Sequence, residues 1–113
     1  MYKSINQLTD NEQAALADIK ARVSKLFDIK NYILFGSRAR GDATPDSDID
    51  LLIVTGRKLE HRERHMISHE IFEVNLEHDT QFSFVSIDKE TWESELYEYM
   101  PLHNNVLREG FLV

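Results

Sequence analysis

The chain has 113 residues, no cysteine and a formal net charge of −7, with hydrophobic residues at 42% and charged residues at 29%. These values predict a single folded domain, 1–113, with a real core, and they exclude disorder, disulfide staples and thiolate metal sites. The acidity argues against generic nucleic-acid binding, no apolar run reaches the ~20 residues of a membrane span, and MYKSINQLTDNEQ is no signal peptide, so a cytoplasmic protein is expected.

Thr9 followed by Glu12 has the form of a capping box, and Leu16, Ile19, Val23, Leu26 and Phe27 recur at helical spacing behind it. The first element is therefore a helix to about Phe27. Tyr32 to Phe35 is a short apolar run ending at Gly36, read as a buried strand, and Ile49 to Val54 is a second, with Asp50 its one charge. Thr55 to Lys58 turns. A long helix is expected from about Leu59 to His78, with Ile67, Ile71 and Val74 facing inward. Gln81 to Ile87 alternates as a strand, with Phe82 and Phe84 on one side and Gln81, Ser83, Val85 and Ile87 on the other. Asp88 caps a final helix through Trp92, Leu96 and Tyr99, which Pro101 breaks. The tail LHNNVLREGFLV reads as one or two helical turns closed by Gly110, then an apolar end. This order predicts an α+β (α/β-like) domain: a small sheet flanked by helices.

The chemistry concentrates in FGSRARGDATPDSDIDLL, Phe35 to Leu52. Asp48 and Asp50 stand two apart at the start of a strand, so both carboxylates point to one face while Ile49 and Leu51 point to the other. Paired carboxylates repel unless a cation lies between them, and hard oxygen ligands suit Mg²⁺ or Mn²⁺. Gly36 lets a phosphate approach the backbone, and Ser37 offers a hydroxyl and an N–H. Arg38 and Arg40 bring planar cationic forks beside them. An anion cradle next to a metal platform is what phosphoryl or nucleotidyl transfer requires.

GSRARGDATPDSDIDLLIV resembles the signature of the minimal nucleotidyltransferases of the DNA polymerase β-like superfamily, a Gly-Ser pair, ten residues and Asp-x-Asp before an apolar run. Gly36, Ser37, Arg38, Arg40, Gly41, Ser47, Asp48, Asp50 and Leu51 fall where that pattern puts them. The resemblance implies a compact mixed sheet flanked by helices, a nucleoside triphosphate donor such as ATP, and two divalent metals. It also implies a HEPN-domain toxin as partner, with the chain acting as antitoxin by adenylylating a tyrosine on it. Homo-oligomerisation is left open. Members of the superfamily place a third Asp or Glu on a later strand, but the interior of Gln81 to Ile87 holds no acid. Asp79, just ahead of that strand, is the leading candidate for the third catalytic acid; Asp88 is explained as a cap, and Gln81 or Ser83 can occupy the acid's place. That departure motivates a second reading, a binding antitoxin with little or no catalysis.

Other features have simpler explanations. His61, His65 and His69 recur every four residues, a spacing that can bind zinc, but they are read as the polar face of the long helix. Arg57, Lys58, Arg62 and Arg64 are read as a solvated helix start, and Phe82, Phe84 and Trp92 as core. Tyr97, Tyr99 and Met100 form a candidate partner surface.

Overall fold

The computed structural model describes residues 8–36, 47–94 and 100–113. Helix α1 (Asp10–Leu26) opens on the expected capping box. Thr9 Oγ1 accepts the Glu12 N–H at 3.1 Å, and the Glu12 carboxylate accepts the Thr9 N–H at 2.9 Å. Ala15, Leu16, Ile19 and Val23 are its buried face.

Strand β1 (Ile29–Phe35) begins three residues earlier than the apolar run suggests, because Ile29 and Asn31 pair with the far end of β2 (Ile49–Thr55). The exposed Lys30 and Asn31 carry no apolar signal, so only the pairing reveals them as strand. Helix α2 (His61–His78) starts two residues later than expected, since Leu59 is buried in the core and Glu60 serves as N-cap. Strand β3 (Phe82–Asp88) follows, and Asp88 caps the single turn α3 (Lys89–Trp92) by accepting the Thr91 N–H at 2.9 Å. The expected continuation through Leu96 and Tyr99 lies outside the described residues, as does Tyr97; of the candidate partner surface only Met100 is described, and it is exposed.

Pro101 opens a helix rather than only ending one: α4 spans Pro101–Glu109. In the first turn its missing N–H has no helical partner to lose, and its fixed φ suits the helix. The apolar end is strand β4 (Phe111–Leu112), antiparallel to β1 through Ile33↔Leu112 and Leu34↔Phe111.

The sheet order is β3-β2-β1-β4, with β1 antiparallel to both its neighbours and β2 parallel to β3. Antiparallel β1 and β2 are consecutive, whereas parallel β2 and β3 need the crossover that α2 supplies. The pleat of β2 separates two cores. Ile49, Leu51 and Ile53 join α1 and α2 with Leu16, Ile19, Val23, Ile67, Ile71 and Val74. Leu52 and Val54 meet Ile33, Val106, Trp92 and Leu102 on the other side. A strand buried on both faces reads as an unbroken apolar run, which is why IDLLIVT has a single charge. That charge, Asp50, belongs to the Leu52–Val54 face by alternation, as the sequence predicts.

Candidate active site

Asp50 sits between two neighbouring strands. In the antiparallel ladder it lies opposite Phe35, the last residue of β1, and in the parallel ladder it lies opposite Ser83 of β3. Ser83 Oγ donates to Asp50 Oδ1 at 2.9 Å. The other oxygen, Oδ2, lies against Gly36: a Cβ built at residue 36 would overlap it. Gly36 also has φ +82°, a left-handed conformation that side chains disfavour. Glycine is therefore required here twice over, by the backbone and by the carboxylate packed on it.

Asp48 is exposed, two residues ahead of Asp50 at the mouth of β2. The donor chemistry fits a divalent cation. Two carboxylates stand at one strand end, and glycine at position 36 places no side chain of its own against Asp50 Oδ2. Ser37, Arg38 and Arg40, the expected phosphate ligands, lie outside the described residues.

Asp79 is the C-cap of α2, in the left-handed region at φ 55° and ψ 53°, and its N–H reaches Asn75 O. An acid can adopt this conformation because its short polar side chain tolerates it better than most. Asp79 lies at the same end of the sheet as Asp48, since parallel β2 and β3 both begin there with Ile49 opposite Phe82. The position beside Asp50 on β3, however, belongs to Ser83. Of the two neutral replacements the sequence offered, Ser83 is the one in contact with a carboxylate, while Gln81 is exposed and accepts the Ile49 N–H on its main-chain oxygen at 2.9 Å.

Asn75 is a residue the sequence reading missed. Its side-chain oxygen accepts the Phe82 N–H at 2.9 Å and the Thr80 hydroxyl at 2.9 Å, and its amide donates to Phe82 O at 3.0 Å. It thus acts as a strand partner for the first residue of β3 and holds the register that places Ser83. The available signal was a lone amide near the end of a helix, a residue type that competes for backbone groups.

A further acidic group, Asp18, Glu77 and His78, gathers between α1 and α2. Arg22 occupies it, 3.0 Å from Asp18 and 2.7 Å from Glu77. The Arg22 hydrogen bond holds the Asp18 carboxyl below its ordinary range. The cluster is thus a helix-to-helix ion-pair network. His61, His65 and His69 are exposed on α2, with the first two rings edge to face and His69 3.9 Å from Glu73. Arg57 pairs with Glu63, and Arg64 donates to Leu59 O at 2.8 Å, so the basic segment is tied into its own helix start.

A nucleotidyltransferase domain model matches residues 16–109. The chain belongs to the nucleotidyltransferase domain family, as the Gly-Ser and Asp-x-Asp pattern implied. Among curated proteins it is similar to MJ0604 of Methanocaldococcus jannaschii, a candidate protein adenylyltransferase, at 54% identity over 46 residues. That match covers 39% of this chain and 46% of the relative, so the chain spans about half the length of the curated relative it matches.

The fold is that of the polymerase β-like nucleotidyltransferases. A toxin–antitoxin crystal structure with AMP-PNP superposes at TM-score 0.59 and 15% identity, covering 92% of this chain and 72% of that one. A candidate nucleotidyltransferase from Sulfolobus solfataricus superposes at TM-score 0.53 and 19% identity, covering 96% and 90%. A toxin–antitoxin MntA-HpeT mutant superposes at 0.56 and 17%, covering 89% and 70%. Among the described residues, no helix is long and apolar enough to cross a membrane.

Proposed function

We propose that this chain transfers a nucleoside monophosphate, AMP from ATP, to a hydroxyl of a protein, and that the acceptor is a HEPN-domain toxin held as its partner. The observation that carries the reading is the Gly36–Asp50 contact, a glycine without room for a side chain packed on the second acid of Asp-x-Asp. The adenylyltransferase name of one relative and the AMP-PNP and toxin–antitoxin descriptions of two structural neighbours support it.

In this reading Asp48 and Asp50 hold Mg²⁺ or Mn²⁺, which when bound neutralises the triphosphate and polarises its α-phosphorus. Gly36 and Ser37 receive the β- and γ-phosphates by their backbone N–H groups, and Arg38 and Arg40 balance the charge of the leaving pyrophosphate. The acceptor oxygen forms a bond to the α-phosphorus as the bond from that phosphorus to the bridging oxygen breaks, and pyrophosphate departs. Asp79 takes the acceptor's proton, from its exposed position at the same end of the sheet as Asp48. The chain should be incubated with Mg²⁺, α-labelled ATP and the co-expressed neighbouring gene product. Label is expected on the partner and absent with Asp48→Asn/Asp50→Asn; unchanged transfer by that variant would falsify the assignment.

The Ser83–Asp50 hydrogen bond favours a second reading, an antitoxin that masks its partner by binding and barely catalyses. Neutralisation of the partner by the double Asp variant would support it, and loss of neutralisation would support transfer.

A further inference from the structure

We propose that the mouth of β2 holds one divalent cation rather than a pair, with Ser83 acting as the positioning residue that makes Asp50 a single-oxygen ligand. This rests on the nucleotide-binding reading above. Asp50 has two carboxylate oxygens, and they stand in different surroundings. Oδ1 is engaged by the Ser83 hydroxyl at 2.9 Å, and Oδ2 lies over Gly36, where no Cβ intrudes. Among the described residues, no side-chain hydrogen bond or ion pair reaches the oxygen on the β1 side, and this is the one that would meet a cation. The one on the β3 side already accepts a hydrogen bond within the protein.

Paired catalytic cations lie about 3.5–4 Å apart, and the site must supply enough negative charge to offset their repulsion. A bound triphosphate adds negative charge of its own, so the second ion depends on whether the β3 side offers it a charged oxygen ligand. A second ion on the β3 side would have to displace the Ser83 hydrogen bond. It would then find a hydroxyl at Ser83 and an amide at Gln81, since the strand carries no carboxylate opposite Asp50. Mg²⁺ and Mn²⁺ favour charged oxygen ligands and give up water reluctantly, so neutral groups are poor replacements. Asp79 does not change this, because it caps α2 ahead of β3 and does not occupy the ladder position beside Asp50.

The missing ligand predicts that a carboxylate at position 83 would create the second site. The test counts protein-bound Mn²⁺ by equilibrium dialysis and electron paramagnetic resonance, using the full chain saturated with a non-hydrolysable α,β-methylene ATP. The expected count is one nucleotide-dependent Mn²⁺ per chain for the natural sequence, with at least tenfold weaker binding in Asp50→Asn. Ser83→Asp is expected to raise the count to two, and Ser83→Ala to keep it at one with a several-fold change in affinity. Two cations on the natural chain would overturn the inference while leaving the nucleotide reading intact. So would a Ser83→Asp chain that binds nucleotide and still holds one. Absence of both Mn²⁺ and nucleotide from the natural chain would remove the nucleotide reading and this inference together.

Discussion

Ser83 and Asp50 face each other across parallel strands, joined by a 2.9 Å hydrogen bond from hydroxyl to carboxylate. The orientation of the second acid in the motif is thereby tied to the register of a strand more than thirty residues downstream. Any change that slips or loosens β3 should be felt at the mouth of β2.

Asn75 is the residue through which that dependence can be tested. Asn75→Leu fills similar volume but leaves the Phe82 N–H and C=O without the side-chain partners they have now. Stranding buried backbone groups costs about 1–3 kcal/mol, so the urea midpoint should fall accordingly. Weaker Mn²⁺ binding should accompany the loss, although Asn75 belongs to α2 and is not a ligand. Unchanged stability would show that solvent satisfies β3 equally well.

Gly36→Ala combines two penalties. The backbone at φ +82° disfavours any side chain, and the added methyl collides with Asp50 Oδ2. Residues forced into such regions cost about 1–3 kcal/mol, and the carboxylate must move as well. Both the denaturation midpoint and Mn²⁺ affinity are expected to drop. A change in only the first would mean that Asp50 relocates without losing its function.

Asp79→Asn separates binding from chemistry. An exposed cap residue contributes little to the binding of a nucleotide, so Mg-ATP affinity should be unchanged. Label transfer should fall by about 10²–10⁴-fold if Asp79 receives the acceptor's proton. Asparagine also accepts the left-handed conformation, so the helix end is preserved. Equal transfer rates would dismiss Asp79 from catalysis.

Among the described residues, three acids are held below their ordinary range. The Arg57 guanidinium and the Glu60 N–H bring the Glu63 carboxyl to about 2, the Thr91 N–H lowers Asp88, and Arg22 lowers Asp18. A depressed folded-state pKa contributes stability that is complete above the unfolded value and lost as pH falls through the folded one. From these groups, stability should be level above about pH 5 and decline below pH 4.5 toward pH 2. Urea midpoints across that interval measure the decline, which Glu63→Gln should make shallower.

Thr9→Ala removes the side-chain half of the α1 capping box and should cost about 1 kcal/mol, read from thermal or urea unfolding. A loss near zero would mean that the Glu12 carboxylate suffices to hold the helix start.

Much of this molecule is legible from local rules. Thr9 and Glu12 announce a helix start because the capping box spans only three residues. The alternation of IDLLIVT assigns Asp50 and Leu51 to opposite faces because the pleat has a period of two. The Gly-Ser and Asp-x-Asp pattern likewise points to its chemistry from residue type and spacing alone. What the sequence leaves open involves partners distant along the chain. The apolar end becomes strand β4 only because β1 offers it a free edge, and Asn31 is strand only because β2 reaches back to it. Gln81 and Ser83 are equal candidates in sequence for the place beside Asp50. The parallel ladder, with Asn75 holding its first rung, decides for Ser83. Periodicity tells each strand which side chains share a face, but it carries no information about register. That comes from packing two strands and a crossover helix around one core, and it is there that the surroundings of the second aspartate are settled.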